Sequence, residues 1–386
     1  MTTNGSTRMP TLGIGPMSKN AVDAAVELAR DRGRRIMLIP SRRQVESAEL
    51  GGGYVERWST AQFAEYVRGR DEAGLLLLCR DHGGPWQHPG ERAGNYSEDQ
   101  AMAASLASFR ADIEAGFDLL HIDTCLDLDG AAALDRAIDR LVKLYGECHE
   151  AARELGREVR FEIGFEDQGV DTNDPAEFRD QVTEVCSRLA AGGLPAPAFV
   201  VAQTGTKVLE TENTGALLTA PSAVGFAVAQ LARVCEEVGS SLKAHNADYL
   251  TADSLRRLMQ RGVAAVNVAP EFGVVETRAL LALLDELGLA AERDEFLRLA
   301  HDSGSWRKWL KPGTAATDHE RAVIAGHYVF ATDEFRELKD RIARQAPDVD
   351  HRLRAAIYDA QLHYLVHTTT ADAIPAPVLA ESVRTA

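Results

Sequence analysis

The sequence lacks a hydrophobic stretch long enough to cross a membrane. A spanning helix needs about 20 consecutive apolar residues, and no apolar run in the 386-residue chain approaches that length. The opening stretch MTTNGSTRMPTL also lacks the apolar core of a signal peptide. We therefore expect a cytoplasmic protein that has no membrane partner.

Positive charge and paired cysteines are also scarce. The chain has 42 Lys and Arg against 58 Asp and Glu, which gives a formal net charge of −16 at pH 7. That charge argues against nucleic acid as a partner, although a local pocket can still bind a phosphorylated substrate. The 5 cysteines are scattered and form no CxxC pair. This pattern is typical of reduced, mostly buried thiols in a cytoplasmic protein.

Short apolar strands alternate with amphipathic helices from residue 12 to about residue 290. Eight strands alternating with helices over this length favour a closed (β/α)8 TIM barrel over an open sheet. Helical patterns lie between them, and several end in glycine. The strands are predicted at 12–16, 35–40, 74–79, 118–123, 159–164, 198–203, 242–245 and 264–269.

The pattern changes after residue 290. Residues 291–386 contain helical stretches at 333–345 and 350–367, with no clear strand. We therefore predict a barrel domain over residues 1–290 and a helical extension over residues 291–386 that packs on the barrel. Trp306 and Trp309 lie in the connector 302–313 and are expected to anchor the extension.

The stretch LLLLCRDHGGP at residues 75–85 places an acid and an imidazole side by side after a buried strand. The carboxyl ends of barrel strands converge on one mouth, where catalysis is built. Asp81 and His82 together offer a proton-transfer group and a metal ligand. The alternative is an Asp that caps the following helix beside a His that only packs.

Other predicted strand ends supply further candidates. His82, Glu166 and His245 can form a His/His/Glu site for Zn²⁺ or a similar divalent metal, which would polarise a carbonyl and stabilise an enediolate. Each residue also has a structural alternative, such as a helix cap or a packed core histidine. The remaining candidates for substrate contact are Asp123, Gln203, Lys207, Asn246, Asp248 and Asn267.

These motifs resemble the class II aldolase superfamily, and in particular the non-catalytic, Z-type subunit of class II tagatose-bisphosphate aldolase. The resemblance covers most of the chain, including the extension. It is carried by GGGYVERWSTAQF (51–63), CRDHGGPWQ (79–87), LLHIDTCLD (119–127), FEIGFEDQG (161–169), AHNADYLTADSLRRL (244–258), VNVAPEFGVVETRALLAL (266–283), SWRKWL (305–310) and GHYVFATDEFRELKDRI (326–342).

The resemblance implies roles for individual residues. In the catalytic members an Asp-His pair ends strand 3, which assigns proton transfer to Asp81 and metal binding to His82. The family's Glu near the end of strand 5 corresponds to Glu166, and its metal-binding His after strand 7 corresponds to His245. The substrate-contacting Asn on strand 8 corresponds to Asn267.

Two departures from the family pattern affect these expectations. The catalytic members carry a further metal-binding His after strand 6, where this chain reads TGTKV and has Lys207 close to the equivalent place. Their Gly- and Ser-rich phosphate loop after strand 7 is replaced by Asn246, Ala247, Asp248 and Tyr249. Asp248 would repel a phosphate, so bisphosphate binding in the family's usual way is in doubt.

Three hypotheses of function follow from the sequence. The first is a metal-dependent enzyme that acts on a ketose sugar or sugar phosphate by retro-aldol and enediolate chemistry, including C4 epimerisation. The second is a non-catalytic subunit that stabilises a separate class II aldolase. The third uses Lys207 as a Schiff-base nucleophile, although a solvated loop lysine explains this residue more simply. Besides the small-molecule substrate, the partner is either such an aldolase subunit or a further copy of this chain.

Overall fold

The computed structural model describes residues 9–164 and 169–369. Within them, eight parallel strands close into a barrel in which each strand pairs with its neighbours in sequence and β8 pairs with β1. This arrangement confirms the predicted (β/α)8 fold. The barrel strands are β1 (Leu12–Ile14), β2 (Ile36–Leu38), β3 (Leu76–Gly83), β4 (Leu119–Ile122), β5 (Arg160–Gly164), β6 (Phe199–Ala202), β7 (Ser241–Ala244) and β8 (Val263–Val268).

A helix follows each strand. Ser59 and Ser97 begin α2 and α3 with reciprocal capping boxes, and Gly33 and Gly116 end α1 and α3 in the left-handed conformation. The barrel helices are α1 (Lys19–Arg32), α2 (Thr60–Arg68), α3 (Glu98–Ala115), α4 (Leu134–Glu154), α5 (Pro175–Ala191), α6 (Pro221–Glu237), α7 (Ala252–Gln260) and α8 (Pro270–Glu286).

Short hairpins, short helices and 3-10 turns lie in the connections between the main elements. Two hairpins follow β4 and β6 and add polar loops at the mouth of the barrel. The hairpins pair Leu126–Asp127 with Gly130–Ala131 and Val208–Leu209 with Glu212–Asn213. Short helices cover Pro89–Ala93 and Ala216–Thr219, and 3-10 turns cover Ala48–Leu50, Arg307–Trp309 and Gly326–Tyr328.

Strand β3 is longer than its apolar run. The sequence predicts that the strand ends at Cys79, but the structure continues it to Gly83. The pairing register with β4 shifts between Arg80 and Gly83, which marks a β-bulge at Asp81 and His82. A bulge breaks the strict alternation of side chains, so two successive residues can both be turned towards the barrel mouth.

The C-terminal helices pack on the barrel wall. They are α9 (Ala290–Asp302), α10 (Asp318–Ala325), α11 (Asp333–Ala343) and α12 (Val349–Thr368). Helix α12 lies against α1 and α8, and Gln361 donates a 2.9 Å hydrogen bond to the carbonyl of Ala21. An apolar cluster that includes Phe296 and Phe335 joins α8 to α9 and α11. None of the helices described here has the length and apolarity that crossing a membrane requires.

A buried carboxyl lies between the barrel and this extension. Glu276 on α8 is 3% exposed, and both Ser18 and Asn20 donate hydrogen bonds to it. Burial raises the pKa of Glu276 from its usual 4.5 to about 7. The folded state therefore retains this proton to a higher pH than the unfolded chain does. Its contribution to stability is complete below about pH 4.5 and is lost as the pH rises through about 7.

Replacing Glu276 with glutamine should remove this pH dependence. Between pH 5 and pH 8 the wild-type protein should lose about 2–3 kcal/mol of unfolding free energy relative to Glu276→Gln. Urea denaturation of both proteins at both pH values measures the change. The exposed Glu114 supplies the control, because Glu114→Gln should show no such difference. An equal gap between wild type and Glu276→Gln at the two pH values would contradict the prediction.

Candidate active site

A buried polar cluster occupies the carboxyl ends of the barrel strands. Its members come from five strands or from the residues just beyond them, so the closed barrel brings together groups that are far apart in sequence. All except His82 and Asp81 are almost completely buried. The cluster consists of Asp81, His82, His121, Asp123, Glu162, Lys243, His245 and Asn267.

Three imidazoles face one another at the centre of this cluster. His82 comes from β3, His121 from β4 and His245 from the end of β7, and their ring centroids are 5.1–5.3 Å apart. One ring nitrogen of each lies within 4.8 Å of the others. The His82 side chain is 35% exposed, whereas that of His121 is 1% exposed. The imidazole group therefore opens towards the mouth on the His82 side.

Asp81 lies among the three imidazoles. Its carboxylate oxygens are 3.7 Å from His82 Nε2, 3.8 Å from His121 Nδ1 and 3.7 Å from His245 Nε2. The Asn267 amide donates a 3.1 Å hydrogen bond to the same carboxylate. Burial alone would raise the pKa of Asp81, but the neighbouring imidazoles outweigh it and hold that pKa well below its usual value. Asp81 is therefore ionised at neutral pH.

The His82 ring is oriented by a second carboxylate. Its Nδ1 lies 2.7 Å from Asp123 Oδ2, and Gln87 donates a 2.7 Å hydrogen bond to the same oxygen. Burial opposes ionisation of Asp123, yet its hydrogen bond with His82 and the charge of that ring hold its pKa below the usual value. The His82 backbone has φ of 43°, a strained conformation for a residue with a side chain. Such strain at a bulge is typical of a site that fixes a functional side chain.

An ion pair lies one layer deeper in the barrel. Lys243 Nζ is 2.6 Å from Glu162 Oε2, and both side chains are 1% exposed. The other Glu162 oxygen is 3.0 Å from His245 Nε2. Burial would raise the pKa of Glu162, but Lys243 and the nearby histidines lower it to about 2. Lys243 therefore keeps a carboxylate charged beneath the imidazoles.

The charge and donor set of the cluster suit a divalent cation. The carboxylates of Asp81, Asp123 and Glu162 outnumber the single ammonium of Lys243. Imidazole nitrogens and carboxylate oxygens are the ligands that Zn²⁺ and similar metals prefer. The donor atoms of His82, His121 and His245 lie close enough together to hold such an ion, and those of Asp81, His121, Glu162 and His245 form a second group of this kind.

Two glycines leave room for the buried side chains. A Cβ added at Gly13 would lie 2.3 Å from Asn267 Oδ1, and one added at Gly164 would lie 2.7 Å from His121 Nε2. Both distances are far shorter than a normal contact. The absence of a side chain at these positions is therefore part of what fixes Asn267 and His121.

Gly164→Ala is expected to destabilise the protein by about 1–3 kcal/mol, because His121 is buried and has little room to move away from an added methyl. The control is Gly146→Ala in α4, where the nearest atom to the added Cβ is 3.7 Å away. That substitution should instead stabilise the helix by about 0.5–1 kcal/mol. Urea denaturation measures both, and a stabilising effect of Gly164→Ala would show that His121 is not tightly held.

The structure brings together only part of the set proposed from the sequence. Asp81, His82, Asp123, His245 and Asn267 lie in the cluster. Glu166, proposed as a metal ligand, lies outside the described residues.

Four other proposed residues make contacts outside the cluster. Gln203 donates to the carbonyl of Gly169, and the carbonyl of Asn246 accepts from Asn213. Lys207 is half-buried in the loop after β6. The fourth, Asp248, lies at the start of α8.

Asp248 occupies the amino-terminal end of helix α8. Its carboxylate accepts hydrogen bonds from the backbone N–H groups of Ala269 (3.0 Å) and Glu271 (2.9 Å). Burial and the nearby charge of Glu271 raise the pKa of Asp248 to about 7. A helix amino terminus is a ready anion site, and here a side chain of the protein fills it.

Sequence reasoning missed His121, Glu162 and Lys243. Each lies inside an apolar strand segment, where a single polar residue does not stand out from the strand pattern. A usable signal was present, because side chains two residues apart on a strand share a face. His121 precedes Asp123 by two positions, and Lys243 precedes His245 by two positions. The candidates Asp123 and His245 therefore indicate that His121 and Lys243, two residues earlier on the same strand face, belong to the site.

Comparison with known proteins supports the resemblance seen in the motifs. The chain is 24% identical over 321 residues to the D-tagatose-1,6-bisphosphate aldolase subunit GatZ of Salmonella dublin, covering 75% of this chain and 72% of that protein. The protein of the same name from Escherichia coli O6:K15:H31 is 24% identical over 318 residues, covering 76% and 73%. No family model matches the chain. The similarity to this aldolase subunit, expected from the motifs, is confirmed.

Solved structures share the fold. A probable tagatose 6 phosphate kinase from Sinorhizobium meliloti 1021 aligns with a TM-score of 0.72 and 19% identity, covering 93% of this chain and 100% of that one. The fructuronate-tagaturonate epimerase UxaE from Cohnella laeviribosi aligns with a TM-score of 0.59 and 14% identity, covering 94% and 82%. At these identities the likeness establishes the barrel architecture and its helical additions.

Proposed function

We propose that the protein is a divalent-metal-dependent, class II aldolase-like enzyme that acts on a ketose sugar or sugar derivative. The observation that carries this proposal is the set of three imidazoles, His82, His121 and His245, around the ionised Asp81. Three protein ligands with an open side are the usual arrangement of a catalytic metal site. Imidazole ligands suit zinc and other divalent transition metals.

A metal bound there would polarise the ketose carbonyl and stabilise negative charge on the substrate oxygens. Asp81 is placed to move the proton. In retro-aldol cleavage it accepts the proton of the hydroxyl that becomes an aldehyde, and the electron pair of the breaking carbon–carbon bond passes to the carbonyl side as an enediolate. Asn267 holds the Asp81 carboxylate in position through its amide. Asp123 and Gln87 fix the orientation of the His82 ring.

The enediolate intermediate can react in two ways. Protonation of the enediolate at carbon completes cleavage and gives a lyase. Rotation of the aldehyde and re-addition to its other face give the C4 epimer. The names of the related proteins favour this substrate class, because they refer to tagatose bisphosphate and to the fructuronate–tagaturonate pair.

Metal analysis with a turnover assay tests the proposal. The wild-type protein should purify with a bound divalent ion, and chelation should abolish turnover of ketose phosphates or ketose acids until metal is restored. Borohydride treatment in the presence of substrate should trap no covalent adduct, which separates this chemistry from a Schiff base on Lys207 or Lys243. A wild-type protein that neither binds metal nor turns over any of these sugars would contradict the proposal.

The second candidate is a stabilising subunit of a separate aldolase. The relatives at 24% identity are named as aldolase subunits, and this observation favours it. In that case the chain should co-elute with a separate class II aldolase chain and slow its inactivation. Turnover by this chain alone, with no aldolase in the preparation, would exclude the candidate.

A further inference from the structure

The loop after β2 carries two adjacent arginines with different surroundings. Arg42 is 1% exposed and is neutralised by Glu46 at 2.6 Å and Glu91 at 2.7 Å. Arg43 is half-buried, and its guanidinium has no ion pair or hydrogen bond with any residue that the structure describes. Arg42 is therefore structural, whereas the donors of Arg43 remain available.

A lysine from the C-terminal extension lies near Arg43. The Lys308 amine lies 4.7 Å from the ring centroid of Trp309 and 5.6 Å from that of Tyr328. In residues 9–164 and 169–369 no carboxylate lies within 4.0 Å of it. The residue reaches solvent. The backbone carbonyl of Arg43 accepts a 3.0 Å hydrogen bond from the Tyr54 N–H, and the Tyr54 ring lies 4.9 Å from the Tyr328 ring. Arg43 and the Lys308 amine therefore lie beside the same pair of aromatic rings.

Arg43 and Lys308 have no carboxylate partner in the described structure, although acidic residues outnumber basic ones in the sequence. Asp and Glu exceed Lys and Arg by enough to give a net charge of −16, and most other arginines in the described structure pair with a carboxylate. Like charges held together raise each other's electrostatic energy, and an anion placed between them removes that cost. The pair Arg43–Lys308 thus has the electrostatics of an anion site.

Aromatic rings form the floor of this site. The rings of Tyr54 and Tyr328 are 4.9 Å apart, and the Trp309 indole donates a 3.1 Å hydrogen bond to the Tyr328 hydroxyl. All three residues are partly exposed. The hairpin after β6 also holds the segment in place, since the Glu210 N–H donates to the carbonyl of Trp309 at 2.6 Å. A fixed aromatic surface suits the C–H face of a sugar chain.

The site lies within one sugar length of the imidazoles. Ser41 forms a parallel bridge with Asp81, and Arg43 follows Ser41 by two residues. Two residues span at most about 7 Å and paired strands are about 4.8 Å apart, so the Cα atoms of Arg43 and Asp81 are no more than about 12 Å apart. The long arginine side chain shortens the remaining gap to a bound ligand. An extended six-carbon ketose can therefore reach both groups.

The other natural place for an anion at this mouth is already filled. In TIM barrels a phosphate is frequently held by the last βα loops and a helix amino terminus. Here the Asp248 carboxylate takes the N–H groups at the start of α8, and Glu271 adds a further carboxylate nearby. The N–H groups at the usual place for a substrate anion are therefore already taken by a side chain of the protein, which favours an anion site elsewhere at the mouth.

We propose that Arg43 and Lys308 bind the oxyanion, a phosphate or a carboxylate, at the end of the ketose chain remote from the reacting carbon. The identity of the ligand as a ketose rests on the proposed function, whereas the anion site itself does not. The two positive groups select charged sugars over neutral ones, and the aromatic floor orients the chain towards Asp81. Substrate specificity is then determined jointly by Arg43 of the barrel and Lys308 of the C-terminal extension.

Direct binding measurements test the site independently of turnover. Calorimetric titrations use D-fructose 6-phosphate, D-fructuronate and D-fructose with the full-length wild-type protein, Arg43→Gln and Lys308→Gln. Each variant should weaken binding of the preferred anionic sugar by about 10- to 100-fold, because each removes a charge-assisted hydrogen bond. Binding of neutral fructose should be unchanged. The matched controls Arg298→Gln and Lys143→Gln remove exposed charges elsewhere and should bind like wild type.

The outcomes separate this site from the catalytic proposal. Selective weakening in the two site variants supports the anion site even if no turnover is ever found, and the tighter of the two anionic sugars identifies the group as phosphate or carboxylate. Equal binding by wild type, site variants and controls would overturn the proposal. It would be overturned equally by a wild-type protein that binds neither anionic sugar more tightly than fructose.

Discussion

Asp81→Asn should lower kcat by about 10²- to 10⁴-fold, the range that general acid–base catalysis supplies. The substitution keeps the size of the side chain and an acceptor for the 3.1 Å hydrogen bond from Asn267. It removes the carboxylate that lies 3.7–3.8 Å from the three imidazoles. Since the imidazoles are untouched, the variant should still bind metal, and the loss should fall on kcat rather than on folding.

Steady-state kinetics, metal analysis and thermal denaturation measure the three quantities together. Asp294→Asn is the matched control, because Asp294 is 79% exposed and its only described ion pair is a 3.9 Å surface contact with Arg293. That control should keep both metal and activity. A metal-loaded Asp81→Asn protein with wild-type kcat would show that another group transfers the proton.

His121→Ala should weaken divalent-metal binding by more than the 10- to 100-fold that changes to groups behind the ligands typically cause. His121 is one of three imidazoles whose ring nitrogens lie within 4.8 Å of one another. It is also 1% exposed, so the space it leaves is not readily filled by another side chain. Turnover should fall with the metal and recover only partly at high metal concentration.

This variant also separates two ligand sets. The set inferred from the sequence comprises His82, Glu166 and His245, whereas the structure adds His121 as the third imidazole. If the first set is right, Glu166→Gln should lose metal and His121→Ala should keep it; the imidazole set predicts the reverse. The exposed His351 supplies the control, since His351→Ala should leave the metal affinity unchanged. Competition with a chromogenic chelator measures all the affinities.

Much of the fold follows from the sequence because barrel strands are buried on both faces and read as continuous apolar runs. All eight predicted strands are present, and their bounds differ from the structure by at most two residues except at the end of β3. There the polar pair Asp81–His82 hides the continuation of the strand. A bulge depends on the pairing with β4, which local sequence does not encode.

The sequence predicts the site residues that lie at the strand ends but not those buried beneath them. Asp81, His82 and His245 follow apolar runs, so they stand out as polar residues at strand ends. His121, Glu162 and Lys243 interrupt such runs, and only barrel closure shows that they face a common interior. The missing histidine after β6 therefore does not leave the cluster with two imidazoles, because β4 supplies the third.

Anomalous diffraction from crystals grown with Zn²⁺ tests the central claim most directly. We predict a strong peak at the zinc edge bounded by the ring nitrogens of His82, His121 and His245, with Asp81 beside it. The same crystals of His121→Ala should show a weaker peak or none. A protein that yields no peak at this position, or one whose zinc lies away from the three imidazoles, would contradict the claim that these histidines form a metal centre.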